Sequence, residues 1–138
     1  MSAEKGNSGL PKPTERELEI VRVLWDQGPS TVREVVNELN ANRKPPLAYT
    51  TVLRFFQIML EKGLVTRTDG QKGHVYQTSV PAEKTKRQLA QDLIQRAFAG
   101  SARELVLHAL GGRDVSPEEL AEIKKLIRKI EREEGKHE

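Results

Sequence analysis

A mainly α chain with one small β-hairpin is expected here: an N-terminal winged helix-turn-helix domain joined to a C-terminal three-helix dimerisation domain. Three features lead to it. Two Thr-x-x-Glu capping boxes each start a short amphipathic helix, a third amphipathic stretch runs into paired strand-forming segments, and no strand signal returns beyond Pro81. The expected partition is a flexible arm at residues 1–12, the winged helix at 13–80 and the dimerisation region at 81–138.

In the first box Thr14 and Glu17 satisfy each other's backbone N–H groups, and Leu18, Val21, Leu24 and Trp25 give the helix an apolar face before Gly28-Pro29 ends it. Thr31 and Glu34 repeat the box ahead of Val32, Val35, Val36 and Leu39. Lys44-Pro45-Pro46 then holds the connection extended. A third helix begins near Ala48, turns Val52, Phe56, Met59 and Leu60 to one side, and stops at Gly63, which can take the left-handed conformation. Leu64-Val65-Thr66-Arg67 and Val75-Tyr76-Gln77-Thr78 read as strands around a turn at residues 69–73. Three helices followed by such a hairpin make a winged helix.

The C-terminal helices carry Leu89, Leu93, Ile94 and Phe98 on the first, and Leu105, Val106 and Leu110 on the second, after Gly100-Ser101. Ser116 can cap the last and Pro117 suits its first turn. There Leu120, Ile123, Ile127 and Ile130 form a seam close to heptad spacing. So narrow a stripe needs a partner, so Leu89, Leu93, Leu120, Ile123, Ile127 and Ile130 are the expected contacts of a homodimer.

No run approaches the roughly 20 apolar residues that cross a bilayer, and the polar start lacks a secretory signal, so a cytoplasmic protein without membrane contact is expected. The absence of cysteine excludes disulfides, thiol nucleophiles and thiolate metal sites. His74, His108 and His137 are scattered, and no Ser, His and Asp stand in triad context, so neither a metal, a cofactor nor enzyme activity is expected. The formal charge of +3 is unevenly spread. Residues 14–40 hold six acids against three bases, whereas residues 41–80 hold six bases against two acids. A polyanion would meet the second stretch.

The second helix of a helix-turn-helix enters the major groove and presents its N-terminal side chains to base edges. Tyr49, Thr50, Thr51, Arg54 and Gln57 are therefore the candidate contacts of that helix, Arg54 having the fork that fits a guanine edge. Arg43 and Lys44 before it, and Arg67, Lys72 and His74 on or beside the wing, are candidates for phosphates. Plainer readings stand beside these: Thr50 as a helix cap, Arg54 and the wing residues as solvated charges, and Lys84, Lys86 and Arg87 as a solvated face. Trp25 and Tyr76 read as core. At the level of function, a winged-helix protein-interaction module and a ligand-gated transcriptional regulator are the rivals to an operator-binding repressor.

Thr14, Glu17-Leu18-Glu19-Ile20-Val21, Leu24-Trp25, Gly28-Pro29-Ser30-Thr31-Val32-Arg33-Glu34-Val35, Leu47-Ala48-Tyr49-Thr50-Thr51-Val52, Glu61-Lys62-Gly63-Leu64-Val65 and Gly73-His74-Val75-Tyr76 together resemble the penicillinase repressor family, BlaI/MecI/CopY. The resemblance implies a homodimer on dyad-symmetric operator DNA that represses genes for β-lactam resistance or copper handling, with residues 48–52 opening the recognition helix. It also implies release of the operator by inactivation of the dimer, in antibiotic-responsive members through a regulatory protease. Arg54 departs from the small polar residue often found there, and Ile58 from a commonly basic one. The Asn-Phe bond typical of cleavage is replaced by the stretch Leu107-His108-Ala109-Leu110, and the cysteine pairs of the copper branch are absent.

Overall fold

The computed structural model describes residues 11–112 and 114–136, so of the arm expected at 1–12 only Pro11 and Lys12 fall within the described residues, and His137 lies outside them. The elements are α1 (Glu15–Gln27), α2 (Val32–Asn40), α3 (Tyr49–Lys62), β1 (Val65–Gly70), β2 (Gly73–Thr78), α4 (Ala82–Phe98), α5 (Ala102–Gly111) and α6 (Pro117–Lys136). Two compact units divide inside α4, between Gln91 and Asp92.

Both capping boxes form. The Thr14 hydroxyl accepts from the Glu17 backbone N–H at 3.3 Å while the Glu17 carboxylate accepts from the Thr14 N–H at 2.9 Å, and Thr31 and Glu34 do the same at 3.2 and 2.9 Å. In α1 the buried stripe is Glu17, Ile20, Val21, Val23 and Leu24. Leu18 and Trp25, expected on the inner face, are only half-buried. The helix is rotated relative to the expected face because Glu17, a charged residue, belongs to its inner side.

Glu17 can lie there because Lys62, in the last turn of α3, sets its ammonium 2.7 Å from the carboxylate, whose side chain is 3% exposed. Burial alone would raise the Glu17 pKa, but Lys62 and Thr14 more than offset it and hold the carboxyl below its ordinary value. A carboxyl so depressed stabilises the fold above its unfolded pKa, and that stabilisation is lost as pH falls through the folded value. Glu17→Gln is therefore expected to lower the urea midpoint at neutral pH, with the difference from wild type shrinking on acidification. A constant difference between neutral and acid pH would remove Glu17 from the acid response.

Asn40 closes the next connection, its amide donating to the Leu47 carbonyl at 2.9 Å and its oxygen accepting from the Leu47 N–H at 2.8 Å. Those bonds fix where α3 can begin. Val52, Phe56 and Met59 then enter the core at 0% exposure. At the other end Gly63 sits at φ 84°, in the left-handed region that glycine adopts without penalty. Its N–H donates to Leu60 and that of Leu64 to Met59. Leu64 thus completes the helix cap, and β1 starts one residue later than expected.

The hairpin turn is also tighter than expected. Gly70 pairs with Gly73, leaving only Gln71 and Lys72 as the loop, and Gly73 absorbs the reversal at φ 115°. Asp69 and His74 face each other in the ladder and bond at 2.9 Å, which carries the pairing outward past the expected strand ends. One further strand contact carries no sequence signal. Ser30, between α1 and α2, exchanges backbone hydrogen bonds of 3.0 and 2.8 Å with Tyr76 and so adds a one-residue third rung to the wing sheet.

The core joins Ile20, Val21, Leu24, Val32, Val35, Val36, Val52, Phe56, Met59, Leu64, Val65 and Tyr76, with the Phe56 and Tyr76 rings 4.4 Å apart. Three helices packed on a hairpin in this manner are a winged helix. In the second unit Ser101 caps α5 through the Glu104 N–H at 3.1 Å, and Ser116 caps α6 through the Glu119 N–H at 3.0 Å. Among its described residues no hydrophobic side chain is buried.

Candidate nucleic-acid interface

Burying Val52, Phe56 and Met59 decides which way the rest of α3 faces. Tyr49, Thr50, Thr51, Arg54 and Gln57 are all exposed, and Thr50, Arg54 and Gln57 recur at intervals of four and three residues, so they share one outer stripe. Ala48 is the N-cap and supplies no side-chain bond, and no acid lies in the first turn. Thr50 is therefore not the cap, and the start of α3 remains electropositive toward solvent. Arg54 has no ion pair or hydrogen bond among the described residues.

The wing follows α3 after Gly63 and Leu64. Arg67 lies opposite Tyr76 and Asp69 opposite His74, so by strand alternation Arg67 and His74 share the sheet face of Val65 and Tyr76, Arg67 level with Tyr76 and His74 nearer the tip. Lys72 is in the turn itself. Arg67 and Lys72 are exposed and without a carboxylate partner among the described residues, whereas His74 is bonded through Nδ1 to Asp69.

The two bases before α3 are placed differently. Arg43 is drawn to α1, its guanidinium 2.6 Å from Glu19, which Arg16 also holds at 3.3 Å. Lys44 is exposed beside it along an open cleft that includes Glu19, Asp26 and Glu38. Pairing with Glu19 spends the Arg43 charge inside the protein, so it contributes less outward field than Arg54.

Residues that sequence reasoning passed over include Arg33. It stands in α2 with its guanidinium carbon 4.6 Å from the centre of the Tyr49 ring. It is one of three bases in an acid-rich pair of helices, and no spacing in the chain signals a contact 16 positions away. Lys86 lies similarly 5.3 Å from the Trp25 ring.

On α6, Leu120, Ile127 and Ile130 are 38%, 49% and 49% exposed, and Ile123 is half-buried. On α4, Leu93 is exposed and Leu89 half-buried. Val106, Leu107 and Leu126 are uncovered as well and were not among the expected dimer contacts. Among the described residues no cluster of three His, Asp or Glu side chains is placed to hold a metal, and no helix is long and apolar enough to cross a membrane.

The chain is similar to several known proteins. The methicillin resistance regulatory protein MecI of Mammaliicoccus sciuri is 22% identical, the match covering 82% of this chain and 90% of that protein. The penicillinase repressor of Bacillus licheniformis is also 22% identical, over 86% of this chain and 91% of that protein. A MarR family protein from Bacillus stearothermophilus superposes loosely, with a TM-score of 0.47 and 23% identity over 88% of this chain and 75% of that one. The family model described as "Penicillinase repressor" matches residues 13–129, which spans both the winged helix and the helical region, and the chain therefore belongs to the penicillinase repressor family.

Proposed function

We propose that the chain, a DNA-binding transcriptional repressor of this family, grips a dyad-symmetric operator as a homodimer, with residues 13–80 reading DNA and residues 81–138 pairing the subunits. The observation that carries this reading is the outer stripe of α3: hydroxyls at Tyr49, Thr50 and Thr51, the unpaired Arg54 and Gln57 all face solvent, while Val52, Phe56 and Met59 hold the helix from behind. In that arrangement the threonines meet phosphates or bases, Arg54 reaches a guanine edge, and Arg67 and Lys72 follow the neighbouring backbone. His74 supports the wing through Asp69, and Lys44 and Arg43 add general positive field. The names of the relatives direct the search for target genes toward resistance functions. Loss of subunit pairing, including cleavage by a regulatory protease, would release the operator.

Footprinting of the full-length protein on the promoter of its own gene tests the reading, and protection of a dyad-symmetric site is the expected result. Arg54→Ala is expected to cost about 1–3 kcal/mol on that site and to relax discrimination at one base pair. Lys72→Ala should instead weaken all duplexes alike and reduce the salt slope by about one. Equal affinity for every fragment would return the exposed helix to protein recognition.

A further inference from the structure

Tyr49 opens α3 as a residue 38% exposed, its phenol making no hydrogen bond among the described residues. A cation from a different helix meets that ring. Arg33 has no carboxylate partner among the described residues, although Glu34 is its neighbour and residues 14–40 carry twice as many acids as bases. Its guanidinium lies over the Tyr49 ring instead, at 4.6 Å. That distance is within the range of a cation–π contact. The arrangement has two consequences. An aromatic side chain otherwise able to rotate at the start of an exposed helix is held against α2, and the arginine keeps its charge unneutralised beside a helical turn that has no base of its own before Arg54.

We infer that Arg33 is a positioning residue of the DNA interface, acting from α2 by stacking on Tyr49 and fixing the direction in which the phenolic hydroxyl meets the duplex. This rests on the repressor reading above. Holding the ring beforehand removes the ordering cost that binding would otherwise incur. The effect on operator affinity is therefore expressed through Tyr49 and disappears when the ring is absent.

The test uses the full-length chain and a duplex that the wild-type protein enriches from a random-sequence pool. Arg33→Met is expected to weaken binding to that duplex by about 2- to 5-fold, the size of an exposed cation–π contact. Arg33→Lys, which keeps a cation over the ring, should recover most of the loss. In a Tyr49→Leu background, Arg33→Met should have no further effect. Unchanged thermal midpoints for the Arg33 variants would exclude a purely structural origin, and recovery by lysine provides a second check that a loss of helix stability would not mimic. A loss that persists without the tyrosine ring would make Arg33 an independent phosphate contact and overturn the inference, as would wild-type affinity in Arg33→Met. Failure of the wild-type chain to enrich any duplex would overturn the repressor reading itself, and this inference with it.

Discussion

Phe56→Ala is expected to lower the unfolding free energy by about 3–5 kcal/mol, a large share of the stability of a domain this size. Phe56 is fully buried, and its ring meets Tyr76 at 4.4 Å. The substitution therefore empties space where α3 and the wing sheet join. Neither neighbour can fill it readily, because Tyr76 is tied by two backbone bonds to Ser30 and α3 is fixed at its ends by the Gly63 cap and the Asn40 clamp on Leu47. Urea unfolding measures the loss, and Phe56→Leu should retain most of the stability because it preserves more of the apolar volume. A loss for alanine below about 1 kcal/mol would mean that the site collapses freely and that Phe56 does not anchor the helix to the sheet.

The second large effect concerns the proposed subunit pairing. Ile127 and Ile130 lie on the uncovered seam of α6, where each residue is nearly half exposed. Ile127→Glu combined with Ile130→Glu places two charges where a partner's apolar side chains would pack. The doubly substituted chain is expected to sediment as a monomer and to lose about 100-fold or more in operator affinity, because the second reading head no longer searches a restricted volume around the first. Its winged helix should keep its urea midpoint, since neither residue belongs to that core. A variant that remains dimeric would move the pairing surface away from α6, toward Val106 and Leu107 on α5.

What could be read from the chain was set by neighbours in sequence. The capping boxes at Thr14 and Thr31, the stop at Gly63 and the inward positions Val52, Phe56 and Met59 follow from side chains three or four residues apart, so periodicity located them. The exposed stripe of α3 is the complement of those buried positions and was legible for that reason. The inward placement of Glu17 left no local signal because it depends on Lys62, 45 residues later. Arg43, a candidate for phosphates by its place before α3, pairs with Glu19, 24 residues earlier, a contact that no local spacing signals. The Ser30 to Tyr76 rung uses main-chain atoms alone, which leave no residue signature. Arg33 and Tyr49 meet only after α2 and α3 have packed.

That single rung at Ser30 has a mechanical consequence. The short link between α1 and α2 is stitched to the middle of β2, two residues from His74, so the base of the wing cannot hinge without disturbing the helix pair. Bending is left to the part of the ribbon beyond Tyr76 and to the Gln71-Lys72 reversal. On the proposed reading the fold is a stiff caliper whose span is set by the scaffold, and Lys72 in the reversal is the cation placed furthest out to meet the backbone of a duplex.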